Sequence, residues 1–136
     1  MVPNALRTWF VVHFIADWLF ALPMFFIPVE FMQLLGWDCV DPVATRIAAA
    51  ALFGIGTQSF IDRNATIASF KTMLEMKIIW SGTASVGLLW SALTGSPPMT
   101  WGLLLVFVGF NANWTYWRLR LARPFTGGVG APPPSA

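Results

Sequence analysis

Four apolar runs, each about as long as a bilayer's hydrocarbon core is thick, leave this 136-residue chain few ways to fold. A helix needs about 20 predominantly apolar residues to cross roughly 30 Å of hydrocarbon, and the runs fall at about 8–27, 43–61, 67–93 and 101–121. Composition closes the soluble alternative: only 10% of the residues are charged, against about 25% in an ordinary water-soluble domain. The expected fold is therefore all-α, an integral membrane four-helix bundle over residues 1–123, followed by a Pro- and Gly-rich tail, 124–136. The first run carries only Arg7 before it, contains Asp17 and lacks a small-x-small cleavage site, so it reads as a retained anchor rather than a signal peptide.

Punctuation between the runs is specific. Pro23 is expected to bend the outer end of the first helix, and Pro28 to end it. PVEFMQLLGWDCVDP, residues 28–42, reads as a short interfacial segment with Phe31, Leu34 and Leu35 on one face and Gly36 closing its turn. Asp41-Pro42 is an N-cap and first-turn proline for the second helix. That helix is rich in Ala and Gly, which lets neighbouring backbones approach closely.

Charge placement sets the expected orientation. Arg7, Arg63, Lys71, Lys77, Arg118, Arg120 and Arg123 lie on one side, and Arg46 stands alone on the other with Glu30, Asp38 and Asp41. The positive-inside rule puts both termini in the cytoplasm, with the chain in a bacterial inner membrane. Trp9, Trp114 and Trp117 are expected in the cytoplasmic aromatic belt, Trp37 and Trp101 in the outer one, and Lys77 snorkelling to the interface.

His13 and Asp17 are the chemically arresting pair. They stand four apart in HFIADWLF, hence on one helical face, and a carboxylate at that depth costs roughly 3 kcal/mol on insertion scales. One reading makes them a proton relay or ligand site with Trp18 alongside; the other makes Asp17 a packing element, with Thr57, Ser81, Thr83 and Ser85 as candidate donors. His13 could also ligate a pigment or haem, and a quinone contact is conceivable, although the sequence requires no cofactor. Arg46 with Asp38 and Asp41 forms a candidate ion-pair set, and Arg118, Arg120 and Arg123 form a candidate lipid-headgroup cluster. Of Asn111 and Asn113, only one is expected to face the bundle, since residues two apart on a helix point about 200° apart.

Several classes are excluded. The chain has no basic stripe with interleaved aromatics for nucleic acid. Its one Cys and one His supply neither a disulfide nor a metal cluster. No phosphate loop, HExxH, GxSxG or close carboxylate pair is present, and LFGIG reads as helix packing, so no catalytic residue is assigned.

The stretch ALPMFFIPVEFMQLLGWDCVDPVATRIAAAALFGIG resembles the DoxX-like superfamily of small four-helix membrane proteins. The features are a proline-ended first helix, a Gly-ended connector, and an Arg opening a small-residue-rich helix with Gly-x-Gly. The resemblance implies a four-helix bundle with both termini inside, and in some members a link to quinone or sulfur redox chemistry. Three functional expectations follow. The first is a non-catalytic accessory subunit packing against larger membrane partners, in lipid or as a homo-oligomer; the second is a quinone- or small-molecule-linked redox protein with a buried pocket near Asp17 and His13 lined by Trp18 and Phe14; the third is a proton-coupled transporter or channel using Asp17 with Lys77, formed by oligomerisation.

Overall fold

The computed structural model describes residues 2–122. Arg123 and the 124–136 tail, with the candidate headgroup contact of Arg123, lie outside the described residues. Among those residues the chain is all-helical: α1 (Asn4–Phe26), α2 (Pro28–Leu34), α3 (Pro42–Ile61), a 3₁₀ turn (Asp62–Asn64), α4 (Ile67–Leu93) and α5 (Met99–Ala122). α1 is the one described helix that is both long enough and apolar enough, by composition, to cross a membrane. α3, α4 and α5 are of comparable length, with 20, 27 and 24 residues, but are less apolar on average.

Helix ends follow local chemistry. α1 runs through Pro23 and stops at Ile27, which leaves the helical region (φ −130°, ψ 57°) just before Pro28, where a helical backbone is disfavoured. Asp41 caps α3, its Oδ1 accepting from the backbone N–H of Val43 at 2.8 Å and of Ala44 at 3.2 Å. α2 closes on Gly36, whose φ of +101° is open to glycine at little cost. A Cβ there would also stand 3.3 Å from Pro97, so the α2–α3 and α4–α5 connections meet at one end of the molecule.

Packing divides the chain into two helical hairpins, α1 with α3 and α4 with α5. They touch each other through side chains, and each helix contributes a stripe at helical spacing. On α1 the buried residues are Leu6, Phe10, His13, Asp17 and Ala21; on α4 they are Phe70, Met73, Leu74, Lys77 and Ser81. At the end where Arg7 donates to the Arg63 carbonyl (2.7 Å), Leu6, Phe10, Phe70, Met73, Leu74, Trp114 and Trp117 form the hydrophobic core. Phe10 packs on Phe70 and edge-on to Trp114, with centroids 4.6 and 5.8 Å apart, a geometry that adds to plain area burial.

Two expectations are corrected here. Trp114 and Trp117 are 0% and 5% exposed; they are core residues rather than members of an aromatic belt, because they share a helical face that turns onto Phe10 and Phe70. In α2, Phe31 and Leu35 turn inward with Met32, whereas Leu34 points out at 81% exposure.

The outer surface is apolar. Leu19, Phe26, Ile47, Ile61, Ile79, Val86, Trp90, Leu93, Leu105 and Leu119 all stand on it largely uncovered. Among the described residues, seven polar side chains are buried: His13, Asp17, Thr45, Ser59, Lys77, Ser81 and Thr100.

Candidate functional site

Above the aromatic core lies a single polar layer, built by three helices. His13 and Asp17 come from consecutive turns of α1, Ser59 from the last turns of α3, and Lys77 from the middle of α4. Lys77 is only 1% exposed, so it does not snorkel; its position on the Phe70–Leu74–Ser81 face carries it into the interior. Its Nζ donates to Ser59 Oγ at 2.6 Å and lies 3.0 Å from His13 Nδ1. The rings of Phe10 and Trp114 flank the same nitrogen, each with its centroid 5.2 Å away, which favours a cation there.

His13 Nδ1 is contested. Asp17 Oδ2 approaches it to 3.1 Å, yet that contact lacks hydrogen-bond alignment, and Oδ2 is buried without a donor. An imidazole nitrogen either accepts or donates one hydrogen bond. Nδ1 therefore accepts from Lys77 or gives a proton to Asp17, but not both at once. Edge-on packing against Phe110 and Trp114, with centroids 5.0 and 5.2 Å away, holds the ring in place.

Asp17 reaches this position because Gly56 makes room. A Cβ on residue 56 would meet Asp17 Cβ at 2.8 Å and Oδ2 at 3.1 Å. None of Thr57, Ser81, Thr83 and Ser85 donates to Asp17. Thr57 accepts from Trp18 Nε1 (3.2 Å), while Ser81, Thr83 and Ser85 donate to carbonyls of their own helix.

Beyond the polar layer, toward α2, a partly open cavity of about 220 Å³ separates the two hairpins. His13, Asp17, Lys77 and Ser81 border it together with Phe20, Met24, Phe31, Met32, Leu52, Trp80, Leu103, Phe107 and Phe110. It is an apolar chamber with its polar groups gathered at one end, a usual composition for a small-molecule site.

The remaining candidates lie elsewhere. Trp18 does not border the cavity; with its bond to Thr57 and its edge contact on Phe53 (centroids 5.0 Å apart) it fastens α1 to α3. Arg46 pairs with neither Asp38 nor Asp41. Its Nε donates to the Phe25 carbonyl at 3.1 Å, tying α3 to the end of α1, while Asp41 is occupied as a cap. Arg118 is held by Glu75, with Nε and Nη2 at 3.0 and 2.6 Å from Oε1, and Arg120 by the Tyr116 hydroxyl at 2.9 Å. The described residues include no group of three or more His, Cys, Asp or Glu that could hold a metal ion.

Asn111 is the bundle-facing asparagine that bonds across helices: its Nδ2 donates to the Ile78 carbonyl at 2.8 Å and to Ser81 Oγ at 3.0 Å. Truncating it in Asn111→Ala should destabilise the α4–α5 hairpin by about 0.5–1.5 kcal/mol, the usual net contribution of an intramolecular hydrogen bond. Unfolding of the purified protein in mixed micelles reads this directly, and an unchanged midpoint would mean the bonds add nothing net.

The sequence pairs Lys77 with Asp17 only in the transporter reading and otherwise places it at the interface; Ser59 and Gly56 are the site residues it leaves unassigned. A signal existed for Lys77, which falls four residues before Ser81 and three after Leu74 on the face that α4 buries. No sequence signal pairs Ser59 or Gly56 with α1.

The chain matches no protein-family model, and neither a characterised protein nor a solved structure is detectably similar to it. The fold and site therefore define it only as an all-helical protein with a cluster of buried ionisable residues bordering an apolar cavity.

Proposed function

We propose that this is an integral membrane protein, a four-helix bundle with both termini on the cytoplasmic side, that binds a small lipophilic molecule between its two hairpins. The carrying observation is the cavity: an apolar chamber that ends on four buried polar residues, His13, Asp17, Lys77 and Ser81. Buried ionisable groups within spanning helices are costly, and they commonly mark ligand or proton pathways.

Membrane residence is supported by the inverted distribution of polarity. Large apolar side chains stand on the outside while Asp17, Thr45, Ser59, Lys77, Ser81 and Thr100 are buried, an arrangement lipid favours. Basic residues gather where Arg7 meets Arg63, the end that also carries Lys71 and Arg118. A lipid coat accounts for the exposed Phe, Leu and Trp side chains by itself, which removes the need for a larger partner to cover them. Small-molecule binding is thus favoured over the accessory-subunit reading. It is also the broader form of the activity that the DoxX-like resemblance suggests.

Two measurements test this. Cys39, the only cysteine, is exposed between α2 and α3; in intact cells a membrane-impermeant maleimide should label it, whereas a cysteine placed at Arg63 should react only after lysis. Recovery of the chain in the soluble fraction would overturn the membrane reading. Mass spectrometry of an organic extract from protein purified in gentle detergent should reveal a stoichiometric lipophile. Its absence, with larger chains co-purifying in fixed ratio instead, would favour the accessory role.

A further inference from the structure

The cavity's polar end specifies which lipophile fits. This inference rests on the small-molecule reading above and narrows it to one chemical class. Asp17 is 8% exposed, borders the cavity, and receives no hydrogen bond from any described residue. Its Oδ2 is sealed between His13 Nδ1 (3.1 Å) and the backbone at Gly56. Oδ1 also lacks a donor and is not sealed, so it is the oxygen open to a ligand. A buried carboxylate without donors is expensive, and a ligand that donates to it removes that cost.

Lys77 presents the complementary need. An ammonium group has three donors, and Ser59 and His13 use two of them. The third is available at the same end of the cavity, which Lys77 also borders. Both groups touch one atom, His13 Nδ1, so they can address a single ligand atom or two adjacent ones. Whichever of Asp17 and Lys77 holds the shared proton, the pair carries no net charge.

These facts select the head group. A carboxylate or phosphate would suit Lys77 and be repelled by Asp17; an ammonium group would suit Asp17 and be repelled by Lys77. A ketone, quinone or ether offers acceptors only, so it satisfies whichever of the two groups holds the proton and leaves the other unpaired. A hydroxyl both donates and accepts through one oxygen, and meets both needs.

The body follows from size and lining. A cavity of about 150 Å³ lined by Leu, Ile and Phe accommodates benzene, and this one measures about 220 Å³. There is room for one ring and a short chain, or for a chain of comparable volume, with Phe20, Trp80, Phe107 and Phe110 as flat contacts. We infer that the cavity binds an uncharged, hydroxyl-headed lipophile, a phenol or long-chain alcohol, whose O–H donates to Asp17 Oδ1 and whose oxygen accepts from Lys77 Nζ.

The test uses the full chain in lipid nanodiscs and the matched probes 4-hexylphenol, 4-hexylanisole, hexylbenzene and 4-hexylbenzoate. Quenching of tryptophan fluorescence reads binding, since Trp80 and Trp114 border the cavity; a cavity-filled Ala48→Phe variant supplies the partitioning baseline. 4-Hexylphenol should bind roughly ten-fold or more tightly than its methyl ether or the benzoate, the scale of a hydrogen bond to a charged group. In Asp17→Asn, which keeps the shape, that preference should fall to about three-fold or less. Equal binding of phenol, ether and hydrocarbon would overturn the hydroxyl assignment and leave the cavity's ligand role intact. A preference that survives in Asp17→Asn, or tighter binding of the benzoate, would likewise overturn it. No saturable binding by any probe would overturn the small-molecule reading itself.

Discussion

Lys77→Met should destabilise the protein by about 3–5 kcal/mol, the usual result of removing one member of a buried charge pair. The methionine fills nearly the same volume, so the loss is electrostatic rather than a cavity effect. It strips Ser59 Oγ and His13 Nδ1 of their donor and leaves the Asp17 carboxylate buried beside an uncharged neighbour. The matching double variant makes the argument decisive. With Asp17→Asn added, much of the loss should return, giving a coupling of about 1–3 kcal/mol in a double-mutant cycle. Denaturant titration in mixed micelles measures all four species. Strict additivity would mean that Lys77 and Asp17 do not sense each other through His13. The Arg118–Glu75 pair is in direct contact, at 2.6 Å, yet should matter far less: it lies at the surface, where such pairs contribute about 0–1 kcal/mol. Burial, rather than distance, decides between them.

A second large effect is expected at a residue with no side chain. Gly56→Ala would place a methyl carbon 2.8 Å from Asp17 Cβ, so α1 and α3 must separate or Asp17 must leave the site. Overpacking of this kind costs about 1–3 kcal/mol, outweighing the gain of about 1 kcal/mol that alanine brings to a helix interior. Gly54 is the internal control. It stands two residues away on the same helix with nothing within 4 Å of an added Cβ, so Gly54→Ala should be neutral or stabilising by up to about 1 kcal/mol. Opposite signs at the two positions, read as shifts in thermal midpoint, are the expected outcome. A stabilised Gly56→Ala would show that the α1–α3 approach is looser than described. Because Asp17 borders the cavity, the same variant should also weaken 4-hexylphenol binding, whereas Gly54→Ala should leave it unchanged.

Lys77 and the Asp17 carboxylate stand on either side of one imidazole nitrogen, which serves only one of them at a time, and aromatic rings close the other sides. This arrangement accommodates both readings that the sequence left open. The cluster packs the hairpins together, and its unpartnered carboxylate oxygen leaves a place for a ligand.

Much of this was written in the linear pattern. The all-helical class follows from apolar runs of spanning length, from Asp41-Pro42 at the start of α3 and from Gly36 after α2, because each of these signals acts within a few residues of chain. The α1 stripe from Leu6 to Ala21 is equally local, since one helical period fixes which side chains share a face. Tertiary structure decided the rest. Trp114, Trp117 and Lys77 carry sequence signals of an interface, but each lies on a face that the opposing hairpin covers. Arg46 had acidic neighbours in sequence and took a carbonyl of α1 instead. Gly56 and Ser59 meet Asp17 and Lys77 only once α3 has folded back along α1 and met α4. Helical periodicity says which residues point the same way, while only the packing of two hairpins determines what they point at, and the site depends on that second fact.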